Sequence, residues 1–106
     1  LSGKYLNHQW PKGARMTLFP EFKRYLSPEA RAATAAYVKL AEESGLNPSQ
    51  MALAYVNTRP FLTTNIIGAT TMAQLEINLG SADVILPPDV MEAIEEIHRV
   101  HTYPSP

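Results

Sequence analysis

The 106-residue chain has no cysteine, which excludes a disulfide framework and any Cys-ligated zinc or iron–sulfur site and fits a reducing compartment. No apolar run approaches the ~20 residues that a membrane-spanning helix requires, and no signal-peptide pattern is present. An excess of charge of one sign is also lacking. Nine Lys and Arg stand against 10 Asp and Glu, for a net charge of −1 and a pI near 6.3. The cations are scattered without a basic stripe, so no field gathers nucleic acid, and none is expected as a partner. There is no internal repeat and no low-complexity stretch. What is present, 45% apolar and 18% charged residues, is the composition of one soluble globular unit, expected in the cytoplasm with no membrane partner.

From Leu1 to Ser27 no period is sustained, because Gly3, Pro11, Gly13 and Pro20 interrupt each one. This predicts a long loop or arm, and loops of that length are commonly functional or disordered. Its cations Lys4, Lys12 and Arg15 are interleaved with Tyr5, Trp10 and Phe19. Two readings stand: a solvated loop with aromatic anchors, or a loop that covers a ligand. The chain begins at Leu1 rather than at a methionine, and it is expected to be cut from something longer.

Four helices follow from local chemistry. Ser27-Pro28-Glu29 supplies a capping serine, a proline at the first helical position and an acid in the first turn, predicting a helix to about Ser44 that stops at Gly45. Ala33, Ala36, Tyr37, Leu40 and Ala41 form its buried face. Asn47-Pro48 starts a second helix, with Met51, Ala52, Tyr55 and Val56 inward, ending before Pro60. A third is predicted over about 72 to 79, closed by Gly80. Pro87-Pro88-Asp89 opens a fourth to about Val100, with Val90, Met91, Ile94 and Ile97 on one side. The tail from Thr102 to Pro106 is predicted extended or disordered.

Between the second and third helices, residues 62 to 67 hold four β-branched side chains and lead into Gly68. This predicts a strand that turns directly into a helix, and Thr71 with Gln74 three positions on forms a capping box at the helix start. Such a junction is either a plain strand-to-helix turn or an anion site, since unpaired amides and the positive end of the dipole meet there. A single strand has nothing to pair with, so its backbone groups demand a sheet from elsewhere and the chain is expected to be part of a larger α/β fold.

Catalytic and metal constellations are not assembled. His98 and His101, with Glu95 and Glu96 nearby, lack an HExxH frame and fit cations placed at a helix C-terminus. Ser2-Gly3-Lys4 lacks the earlier glycine of a P-loop. His8 has no evident partner, and Glu42 and Glu43 point to different parts of one helix. No catalytic residue and no metal ligand is assigned.

Three blocks in order, Leu1-Ser2-Gly3-Lys4-Tyr5, the distal Arg15, and Ile66-Ile67-Gly68-Ala69-Thr70 with Gln74-Leu75 and Asn78, resemble the C-terminal third of an aldo-keto reductase. The likeness is to the Tas-like branch, which is similar to the β subunits of voltage-gated potassium channels, and it covers the whole chain. The resemblance implies the C-terminal segment of a (β/α)8 TIM barrel, itself mainly helical with one short strand, in which residues 1–26 form a cofactor-side loop and 27–106 the helices and last barrel strand. It further implies an NADP-dependent oxidoreductase that reduces aldehydes and ketones by hydride transfer. Lys4 matches a position over the pyrophosphate and Arg15 one at the adenosine end. Gly68 and Thr70 match the turn near the 2′-phosphate, and Gln74 and Asn78 match positions facing the adenine. Two departures stand out: Glu76 is one place early, leaving Ile77 in the acidic position, and Gly68 and Gln74 stand where many relatives carry Lys and Arg. The catalytic Asp, Tyr, Lys and His of the family match nothing here and would lie upstream of Leu1, so the chain alone is expected to be inactive. Two alternatives are a non-catalytic helical interaction module, whose freed apolar surface binds a partner or self-associates, and a redox-sensing regulatory subunit.

Overall fold

A computed structural model describes residues 1–22 and 25–105 of the chain. Positions 23 and 24 of the predicted loop and 106 of the predicted tail lie outside the described residues. The helices are α1 (Arg15–Leu18), α2 (Pro28–Glu43), α3 (Pro48–Asn57), α4 (Met72–Gly80) and α5 (Pro88–Val100), with 3-10 turns at Leu6–His8 and Ser81–Asp83. The capping chemistry of the sequence sets their starts. The Ala30 amide donates to Ser27 Oγ at 3.0 Å, and the amides of Ser49 and Gln50 donate to Asn47 Oδ1 at 2.9 and 3.3 Å. α2 ends where Gly45 adopts φ +68°, with the Leu46 amide donating to Ala41 O at 2.8 Å and the Gly45 amide to Glu42 O at 3.1 Å. That pair of bonds is the Schellman closure, and Leu46, which follows it, packs against the core.

The core forms where α2, α3 and α5 meet. Ala41, Met51, Ala54, Val90 and Ile94 are buried together with Leu86 from the segment before α5, and Tyr37, Leu40, Tyr55, Val84 and Met91 pack around them. Alanine at 41 and 54 lets the helices approach closely, and Met51, almost fully buried, fills the space between them. α4 joins through α3: Gln50 Nε2 donates to Ile77 O at 3.0 Å. A second link closes α3 on α5. The Tyr55 hydroxyl donates to Glu95 Oε1 at 2.5 Å, Arg59 Nη2 reaches the same oxygen at 3.3 Å, and the Arg59 guanidinium lies 3.9 Å from the Tyr55 ring centroid. The Tyr55 hydrogen bond holds the Glu95 carboxyl below its ordinary range, against partial burial and with help from Arg59.

The structure differs in four details from what the sequence suggests. Residues 64–69 carry no strand ladder, and no strand is present among the described residues. The reason is the one the sequence contains: no second segment among the described residues offers an edge, and Ile66 is left 92% exposed. The segment before α2, predicted as a long loop or arm, contains the short α1 and a 3-10 turn. Gly80 does not close α4. It is helical, with φ −59°, and the chain runs on into the 3-10 turn. Its small size serves packing, because a Cβ there would lie 2.6 Å from Gln50 Nε2. The tail docks rather than trailing away, with Ser27 Oγ donating to Pro104 O at 3.0 Å while accepting from Ala30.

Two outcomes follow. Gly45→Ala is expected to lower stability by about 1–2 kcal/mol, since L residues resist the left-handed region, with Gly45→Asn recovering part of the loss in urea denaturation. No side-chain clash contributes, because nothing lies within 4 Å of a Cβ placed there. For Glu95 the folded pKa lies below the unfolded one, so its contribution is present above the ordinary glutamate pKa and is lost as pH falls through the folded value. Urea denaturation as a function of pH should show this acid loss in the wild type and a smaller one in Glu95→Gln; identical profiles would rule the clamp out as its source.

Candidate functional site

The N-terminal segment lies over α2 because Gly3 permits it. Gly3 has φ +73°, and a Cβ there would stand 2.9 Å from Val38 Cγ2 on α2. The Leu6 amide donates to Gly3 O at 2.8 Å, closing the turn that carries Lys4. Tyr5 then supplies the cap that Ala14 lacks: its hydroxyl accepts from the Met16 amide at 3.2 Å, fixing the start of α1 and with it Arg15. The Tyr5 ring leans on Trp10, with centroids 6.0 Å apart, and the Arg15 guanidinium stands 5.7 Å from the centroid of Phe22. The aromatic residues of this segment are therefore anchors that shape it.

These turns bring Lys4 and Arg15 into one cleft of about 490 Å³, a size common for small-molecule sites. The cleft also takes in Arg31 and Thr34 of α2, Ser49, Ala52 and Leu53 of α3, residues 66–68, and Asn78 of α4. Its charged lining is Lys4, Arg15 and Arg31, and no Asp or Glu is among the described lining residues. Three cations around an uncompensated hollow fit an anionic ligand. A polyphosphate matches that donor set, since Arg and Lys both donate to phosphate oxygens.

Of the six residues singled out in the sequence, Lys4, Arg15, Gly68 and Asn78 line this cleft, while Thr70 and Gln74 do not. Asn78 Nδ2 donates to Gly68 O at 3.1 Å, tying the turn to α4 and leaving Oδ1 as an acceptor. Thr70 and Gln74 are exposed and occupied with each other. Gln74 Oε1 accepts from both the amide and the hydroxyl of Thr70, at 2.9 and 3.0 Å, and the Gln74 amide donates to Thr71 Oγ1 at 3.2 Å. The capping box is thus present with its return contact one residue early, on Thr70 rather than Thr71. An anion at this helix start would have to displace the Gln74 side chain from the Thr70 amide.

Residues 2–99 match the model of the aldo/keto reductase family. The chain belongs to the aldo/keto reductase family. It is 50% identical over its whole length to Protein tas of Escherichia coli K12, covering 31% of that protein. It is 35% identical to a putative voltage-gated potassium channel subunit beta of Schizosaccharomyces pombe, over 92% of this chain and 30% of that protein, and 33% identical to an aldo-keto reductase of Babesia bovis, over 95% and 36%. The chain thus spans about a third of the length of the curated relatives it matches.

Sequence reasoning missed Arg31. The available signal was a cation in the opening turns of a helix, where the dipole favours acids, with no acidic residue three or four positions away. Elsewhere, the described residues contain no group of three metal-ligating side chains and no helix long and apolar enough to cross a membrane. Gly3→Ala should lower stability by about 1–3 kcal/mol, from the left-handed backbone and the contact with Val38, and should expose the segment around Lys4 to faster limited proteolysis. An unchanged cleavage rate would show that Gly3 does not hold this segment down.

Proposed function

We propose that this chain is the C-terminal, cofactor-clamping part of a (β/α)8 barrel in a cytoplasmic NADP-dependent aldo-keto reductase, with the catalytic residues outside the chain. The observation that carries the reading is the cleft that gathers Lys4, Arg15, Gly68 and Asn78 with cations and no carboxylate. When bound, NADPH supplies a hydride to the carbonyl of an aldehyde or ketone. The residues of this chain bind and orient. Lys4 and Arg15 offset phosphate charge, Gly68 lets the ligand approach the backbone, and Asn78 Oδ1 accepts a hydrogen bond from the base. Thr70 and Gln74 join the site once Gln74 releases the Thr70 amide.

The exposed apolar residues of the region after α3, Phe61 at 83% and Ile66 at 92%, support the same reading, since a barrel would cover them with its other strands. They also favour the second reading, a helical module that buries them against a partner or another copy of itself. A regulatory role draws on the relatives named as potassium channel β subunits. Cofactor dependence separates these readings. In the full-length polypeptide carrying this chain, Lys4→Ala and Arg15→Ala are each expected to weaken NADPH binding by roughly tenfold, the worth of a charge-assisted hydrogen bond, in a fluorescence titration. Affinity unchanged in both variants would remove the site assignment, and an absence of NADPH binding in the wild type would favour the interaction module.

A further inference from the structure

We propose that Arg31 is a phosphate-binding residue of the same cleft, supplying the positive charge that the turn at Gly68 and the helix after it do not carry. The inference rests on the nucleotide reading above and adds a residue to it. Residues 60–80 include no Lys or Arg, and their one charged side chain is Glu76. An anion held at the Gly68 end of the cleft therefore meets backbone amides and neutral side chains from its own segment. Its counter-charge must come from another element, and Arg31 of α2 lines the cleft together with Gly68 and Asn78.

The placement of Arg31 is otherwise unfavourable. It is the fourth residue of α2, close to the positive end of the helix dipole, where a cation is destabilising. The positions three and four away are Ser27, Pro28, Thr34 and Ala35, so no acid on the same helix face compensates it. Its Nε is buried and has no hydrogen-bond partner. Arg59 makes the contrast. Its Nε is likewise buried and unbonded, yet its Nη2 is paired with Glu95 and its plane lies over Tyr55. A guanidinium in the lining of a cleft without carboxylates, with no acid paired to it, is a donor group for an anion that enters from solvent. A phosphate matches it, because two oxygens of one phosphate meet the planar donor fork.

The test uses the full-length polypeptide with NADPH and NADH as probes, titrated by nicotinamide fluorescence, in the wild type and in Arg31→Gln, Arg31→Lys and Lys4→Ala. Arg31→Gln is expected to weaken NADPH binding by roughly tenfold, with Arg31→Lys retaining part of the affinity. A loss confined to NADPH assigns Arg31 to the 2′-phosphate, and an equal loss for NADH assigns it to the pyrophosphate. Arg31→Gln binding NADPH within twofold of wild type, while Lys4→Ala is impaired, overturns this inference and leaves the cofactor reading standing. A wild type that binds neither dinucleotide overturns both. Should Arg31→Gln fail to fold, arginine modification of the wild type by phenylglyoxal, read by peptide mass spectrometry, decides the matter. Protection of Arg31 by NADPH and not by adenosine supports the assignment, and equal modification with and without NADPH overturns it.

Discussion

Close packing of α2, α3 and α5 around Met51 is the constraint on which the rest depends. Ala41 and Ala54 are fully or almost fully buried, and their small side chains allow three helices to converge on one long, adaptable one. Every element that contributes to the cleft is hung from this core. α2 presents Val38, against which Gly3 sets the N-terminal turn, and α3 presents Gln50, which holds α4 through Ile77 O. The cleft is thus assembled from elements far apart in sequence without containing any part of the buried core cluster.

Electrostatics divide the molecule along the same lines. Where a cation has a structural task it is partnered: Arg59 is neutralised by Glu95 and stacked on Tyr55, and that cluster ties α3 to α5. In the cleft the cations stand without carboxylates, and aromatic rings beside Lys4 and Arg15 shape the segment without cancelling charge. A fold that neutralises Arg59 and leaves Lys4, Arg15 and Arg31 without carboxylates gathers positive charge in the cleft, although the chain as a whole is close to neutral. The overall charge conceals this, because it averages over both sets.

The segment from Phe61 to Ile67 shows the opposite situation, in which local preference finds nothing to act on. Its β-branched side chains favour a strand, but a strand is stable only through hydrogen bonds to another, and there is none among the described residues. Membership in the aldo/keto reductase family, with relatives about three times as long, provides the context in which such a segment has a place.

The sequence by itself determined the four longer helices and the starts of three of them, because capping is a local reaction. Ser27, Asn47 and Thr71 each bind an amide two or three residues ahead, and Gly45 closes α2 because only glycine enters the left-handed region freely. The six candidate site residues came from a family resemblance rather than from local chemistry, and the structure places four of them, Lys4, Arg15, Gly68 and Asn78, in the lining of one cleft. Tertiary structure decided what contiguity cannot express. It turned Tyr5 into the cap of α1, eleven residues away, and made Gly80 a packing glycine rather than a helix stop. It also docked Pro104 on Ser27 and placed Arg31 in the lining of the same cleft as Gly68. Each of these joins groups far apart in the chain that only tertiary packing brings within reach, and no local period or propensity encodes that distance.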